Sequence, residues 1–198
     1  MTESTDIREL FAQALAQTGS IVAAVRAEQL AGPTPCPAFD VRQLLGHLID
    51  TVDEAAHLGE TGEARTTELR QEPLADDGWT VRYQDAAKRA RAAWTDDTRL
   101  DTMIALPWGP GGTAVEWTGR AALAGCFQEI LVHGWDLAKA TGQPTELDPH
   151  LGEVALATAQ QFVPEQQRGD FSVFGPVVPV PDGSGPYARL AAWLGRQP

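Results

Sequence analysis

Histidine and cysteine, which most often ligate transition metals or attack substrates, are scarce here. Four histidines and two cysteines occur among 198 residues. Cys36 and Cys126 are too few and too far apart for a disulfide framework or a zinc knuckle, and in a reducing compartment both are thiols. Cationic side chains are also few. Fifteen Lys and Arg against 27 Asp and Glu leave a net charge of −12 with no basic stripe, which sets electrostatics against nucleic acid and anionic membranes. No apolar run approaches the length of a membrane span, and the opening MTESTDIRELF lacks the basic and apolar regions of a signal peptide. A cytoplasmic protein with no nucleic-acid or membrane partner is expected, as a monomer or homodimer.

An apolar fraction of 43% suffices for a real core, and the length suits one domain or a domain with a tail. Helical periodicity runs from about Thr5 to Leu30, with Thr5 or Asp6 as cap and Leu10, Ala14, Ile21, Ala24 and Val25 recurring. After the proline-rich break AGPTPCPAFD, Asp40 and Gln43 have the spacing of a capping box. They open a second helix that carries Val41, Leu44, Leu45, Leu48, Ile49 and Val52 and ends near Gly59. Residues 60–78 read as a polar, irregular, mobile connection. A third helix is predicted over 80–97, with Val81, Ala87 and Trp94 inward and arginines outward. The glycines and prolines of MIALPWGPGGTAVEWTG exclude a helix and allow a turn or short hairpin. Thr118 can cap a fourth helix reaching Thr141, where Gly142 and Pro144 stop it. A fifth pattern covers 149–162, and PYARLAAWLG closes the chain as a short helix. Helices dominate, and their lengths suit a bundle. The expected organisation is a helical body over 1–163 and, over 164–198, a Gly/Pro-rich loop and closing helix packed on it.

Within the fourth helix, Glu129 and His133 are four residues apart in the apolar run CFQEILVHGWDLAKATG. On a helix that spacing returns the direction to within about 40° and separates the side chains by roughly 6 Å along the axis. Flanked by Phe127, Ile130, Leu131 and Val132, the pair points into or along a buried surface, where two ionisable groups need a partner. A divalent ion is one; a solvated Glu–His pair is the plain alternative. His47, two turns into the second helix, is the third candidate. Helices of a bundle pack about 8–10 Å apart, so inward side chains from two of them can meet on one ion. Two imidazoles and one carboxylate would leave coordination positions open, the pattern of a catalytic site. Zn²⁺ fits this donor set first, and Ni²⁺, Fe²⁺ and Mn²⁺ satisfy the same ligand types.

Other residues carry weaker signals. Asp136 could hold a ligating imidazole by a hydrogen bond, or cap and pair locally. Glu54, seven residues past His47, is the reserve ligand, with Asp50 on the same side. Cys126 shares part of the Glu129 face and reads as a buried filler or a soft ligand. Cys36 lies between two prolines that stiffen its loop. His57 faces away from His47, toward the surface, and His150 is solvated near a loop. Trp108 and Trp117 flank the Gly-rich turn; core packing is the expected role, lining the site mouth or pinning the loop the others.

Three segments together, TPCPAFDVRQLLGHLID, EILVHGWDLAKATGQP and FGPVVPVPDGSGPYARLAAWLG, resemble uncharacterised metal-binding proteins related to the mycothiol-dependent maleylpyruvate isomerase, in the DinB-like superfamily. The resemblance spans nearly the whole chain. It implies an all-α, antiparallel four-helix bundle with a divalent ion held by His47, Glu129 and His133. It also implies a low-molecular-weight thiol such as mycothiol as co-substrate, added to a small electrophile by an isomerase or transferase. The isomerase carries a distinct C-terminal domain that contributes to its active site, whereas only about 36 residues follow Phe162 here, too few for an independent core. A non-catalytic module that binds metal or senses a ligand is the alternative, and a bundle whose histidines are satisfied by hydrogen bonds alone is the third.

Overall fold

The computed structural model describes residues 6–65, 75–109, 112–165 and 174–198. Among them are seven α-helices and one two-stranded antiparallel sheet: α1 Ile7–Ala23, α2 Val41–Thr61, α3 Trp79–Ala93, α4 Thr98–Asp101, β1 Met103–Leu106, β2 Val115–Thr118, α5 Gly119–Ala140, α6 Pro149–Phe162 and α7 Pro186–Trp193. The fold is all-α, and α1, α5, α2 and α3 enclose the core in that cyclic order.

Side-chain ties give the helix directions. Near its start α2 meets the second half of α5, for His47 faces Glu129 and His133, and Arg99, which donates to Glu60 O near the end of α2, lies against Gly119 at the start of α5, so these two run antiparallel. Arg8 of α1 pairs with Asp97 beyond α3, and Tyr83 donates to Leu15 O, so α1 and α3 are antiparallel as well. Along α2 and α3, by contrast, Arg42 pairs with Asp76, Asp53 with Arg82 and Arg89, and Glu60 with Arg89. Those two helices therefore run the same way, which requires a long connection to carry the chain back. That connection covers 62–78, since α2 runs to Thr61 and takes in the first two residues of the 60–78 stretch read as polar and irregular; its residues 66–74 lie outside the described residues.

Local chemistry sets several helix ends. Asp40 Oδ1 accepts from the Gln43 N–H at 2.8 Å, and Gln43 Oε1 accepts from the Asp40 N–H at 2.9 Å. The reciprocal bonds satisfy two donors that a helix start would leave orphaned. Replacing Asp40 by alanine is expected to cost about 1 kcal/mol, read as a lower urea midpoint; an unchanged midpoint would mean that the box contributes nothing. Thr118 caps α5 by accepting from the Ala121 N–H at 3.2 Å, and Asp6 caps α1. Thr5, the other cap candidate, lies outside the described residues.

Four expectations are corrected. Helix α1 stops at Ala23, not Leu30, and a 3-10 turn follows at Ala27–Gln29. There the Gln29 carboxamide turns back to the Arg26 N–H and also donates to Thr141 O, tying the turn to the end of α5. Val81 is 62% exposed, because the buried stripe of α3 is Trp79, Tyr83, Ala86 and Ala90; α3 itself ends at Ala93, with a separate one-turn α4 after it. Trp108 is 39% exposed and not a core residue. Its ring packs edge-on to Trp117, which lies tilted against Phe162, and both indoles lie over Gly125, where a Cβ would come within 3.2 and 3.3 Å of them.

The hairpin expected around the Gly-rich turn exists, with Met103 paired to Thr118 and Leu106 to Val115. Downstream, α6 packs on α5, and α7 packs on α6 and α5.

Candidate metal centre

Helix α2 presents His47 and helix α5 presents Glu129 and His133, and one ligand atom from each lies within 4.8 Å of the others. Both imidazoles direct Nε2 at the same carboxylate oxygen. Glu129 Oε2 is 3.2 Å from His133 Nε2 and 3.9 Å from His47 Nε2. The two imidazole rings meet edge to face with centroids 4.7 Å apart. Phe39, just before the cap of α2, stacks on His47 at 4.9 Å.

Exposure differs across the trio. The His133 side chain is 5% exposed, whereas those of His47 and Glu129 are 34% and 28% exposed. The cluster is thus anchored on the bundle side and open toward solvent at His47 and Glu129.

Behind His133 lies a second tier. Its Nδ1 is 3.0 Å from Asp136 Oδ2, and the same oxygen accepts from Arg196 Nη2 at 3.2 Å and Nε at 3.4 Å. Asp136 is wholly buried and Arg196 nearly so; a carboxylate in that position needs such pairing. The other oxygen, Oδ1, has no hydrogen-bond partner among the described residues.

These contacts set the protonation preferences. Burial alone would push His133 down, but the carboxylates of Asp136 and Glu129 outweigh it and hold the imidazole above its usual 6.5. For Glu129, burial would raise the carboxyl, and the hydrogen bonds and charges of His133 and His47 outweigh that, holding it well below the carboxylate range.

The geometry also tests whether a cation fits. Asp136, held by Arg196, can only accept, so Nδ1 of His133 carries the proton and Nε2 faces Glu129 Oε2. A bare nitrogen lone pair against a carboxylate oxygen at 3.2 Å is repulsive. The contact is favourable only with something positive there, either a second proton on the ring or a cation taking the lone pairs of both partners. Two imidazole nitrogens and a carboxylate oxygen are a donor set for Zn²⁺ and its neighbours in the first transition row. The residues fit a divalent ion.

The remaining candidates are sorted by place. Glu54 is not in the cluster: its Oε2 pairs with Arg65 Nε at 3.3 Å. Cys126 is buried beside it and a free thiol, with burial pushing its pKa far up. His150 is exposed and His57 half-buried, and neither joins a ligand cluster among the described residues.

Two groups at the centre carried no signal in the sequence. Arg196 comes from the extreme C-terminal segment, sixty residues from Asp136. Cys36 was noted for its stiff loop alone, yet it forms a second close group with His133 and Asp136; burial pushes its thiol up as well. Only Phe39 could have been found, as the apolar residue preceding a helix cap.

Among the described residues, no helix is long and apolar enough to cross a membrane. Two uncharacterised proteins of Mycobacterium tuberculosis are similar to this chain: MT0763 in strain CDC 1551 / Oshkosh and Rv0738 in strain ATCC 25618 / H37Rv. Each is 33% identical over 177 residues, covering 89% of this chain and 90% of the relative. No solved structure matches at a significant level. The family model described as the mycothiol maleylpyruvate isomerase N-terminal domain matches residues 11–138, a span that contains His47, Glu129, His133 and Asp136. The chain belongs to the mycothiol maleylpyruvate isomerase N-terminal domain family.

Proposed function

We propose that the protein binds one divalent ion through His47 Nε2, Glu129 and His133 Nε2, and uses it to activate a low-molecular-weight thiol of the mycothiol type toward a small electrophile. The observation that carries this reading is the convergence of two imidazole Nε2 atoms on one carboxylate oxygen. Bound there, a divalent ion supplies Lewis acidity, lowering the pKa of a thiol or water that reaches it. Zn²⁺ suits the donor set first, with Ni²⁺, Fe²⁺ or Mn²⁺ as alternatives.

The protein's own residues orient and admit. Asp136 keeps the proton on Nδ1 of His133 and so leaves Nε2 free to ligate. Phe39 stacks on His47 and limits its rotation. The exposed flank of His47 and Glu129 is where a small ligand enters, which favours an exchanging site over a closed structural one. No protein nucleophile is needed, because the thiol supplies it; the product is that of an isomerase or an S-transferase. Membership of the mycothiol-related family supports the class of thiol. Both cysteines being free thiols fits a cytoplasmic setting, which is part of the same proposal.

The test uses Co²⁺-loaded protein and mycothiol. The thiol is expected to shift the visible absorption of the cobalt and to raise thermal stability, by about 2.7 kcal/mol at a hundredfold excess over Kd. A spectrum and a melting temperature both indifferent to the thiol would sink the thiol-dependent reading and leave a metal-binding module.

A further inference from the structure

Arg196 is a guanidinium buried at 6% exposure in a segment that lies outside the matched residues 11–138. A buried cation is costly unless its position is fixed and its charge met. Both conditions hold here, and the chain termination of α7 arranges them.

The helix ends in a Schellman motif. The Arg196 N–H donates to Ala191 O at 2.9 Å and the Gly195 N–H to Ala192 O at 3.1 Å, the paired bonds that define the motif. It requires a left-handed residue, and Gly195 supplies it with φ of 85°. The absence of a side chain there also lets the cap lie against Gly175, since a Cβ on Gly195 would come within 2.8 Å of Gly175 Cα. This reversal turns Arg196 back into the protein instead of out along the helix axis. Its Nη1 then donates to Leu194 O at 3.1 Å, and its Nε and Nη2 straddle Asp136 Oδ2. Asp136 in turn holds Nδ1 of His133.

We propose that Arg196 is a positioning residue for the metal centre: the cap of α7 delivers its guanidinium to Asp136, which fixes the ring of His133 so that Nε2 faces Glu129. This rests on the metal-binding reading above. Among the described residues Asp136 Oδ2 has three donors around it and Oδ1 none, so Arg196 and His133 orient the carboxylate. Removing the guanidinium removes two of those three contacts and frees the carboxylate to rotate away from the imidazole. The C-terminal segment thereby belongs to the metal centre without touching the ion.

The experiment measures Zn²⁺ affinity by competition with a chromophoric chelator, together with Co²⁺ absorption, on the full chain and on Arg196→Gln, Arg196→Lys, Asp136→Asn and the Arg196→Gln/Asp136→Asn double variant. Arg196→Gln is expected to weaken Zn²⁺ binding by about 10–100-fold, the range for partners behind a metal-bound histidine, and to alter the cobalt bands. Arg196→Lys is expected to recover part of the affinity. The double variant is expected to be no weaker than Asp136→Asn, since Arg196 acts through Asp136. A purely structural Arg196 would lower the melting temperature yet leave the cobalt bands of the folded protein unchanged, and its effect on affinity would add to that of Asp136→Asn. Either result overturns the proposal. If Arg196→Gln does not fold, Arg196→Lys carries the test, and parent affinity with parent bands in that variant overturns it. Metal loss in His133→Ala beside an unaffected Arg196→Gln sinks this inference alone; a parent that takes up no metal sinks the metal reading with it.

Discussion

Replacing His133 by alanine is expected to take the protein from about one divalent ion per chain to less than about a tenth, measured by elemental analysis of untagged protein. The effect is large because His133 is the joint of the whole arrangement. Its Nε2 faces Glu129 on the metal side, and its Nδ1 meets Asp136 behind. Its loss leaves His47 and Glu129, both partly exposed and 3.9 Å apart, as a two-ligand site that water and buffer outcompete. It also strands Asp136, whose remaining partner is then Arg196. Equal metal content in parent and variant would place the ion elsewhere on the chain.

Phe127→Ala is the second large effect, expected to lower stability by about 3–5 kcal/mol. Phe127 is fully buried on α5, two residues before Glu129, and belongs to the core cluster that joins the bundle helices. Truncation removes transfer free energy and leaves a cavity that the packed helices cannot fill. For a chain of this size the melting temperature should fall by roughly 10 °C. Urea unfolding of the metal-free protein checks it, with a lower midpoint and an unchanged slope. A loss under about 1 kcal/mol would mean that the core around α5 collapses to fill the space.

What was legible in the sequence is what short-range geometry dictates. The Asp40–Gln43 box and the Thr118 cap are side-chain-to-backbone bonds over three residues, so spacing alone reveals them. Glu129 and His133 share a face because a helix repeats every 3.6 residues, and His47 joins them because an inward polar residue in a leucine-rich stripe has few places to point. Distant contacts left no such trace. Helix α1 gives way after Ala23 to a turn whose Gln29 is tied to Thr141, 112 residues away. Val81 faces out because the packing of α3 selects a different stripe. Arg196 reaches Asp136 through the tertiary placement of α7, and nothing in the local pattern LGRQP announces it.

A divalent ion between two imidazoles and one carboxylate has a signature in X-ray absorption at the zinc edge of the loaded parent. In the absence of added thiol, the expected shell is nitrogen and oxygen at about 2.0–2.2 Å, with the outer scattering of two imidazoles. A sulfur at about 2.3 Å in that thiol-free sample would contradict it, moving the ion to the neighbouring group of Cys36, His133 and Asp136.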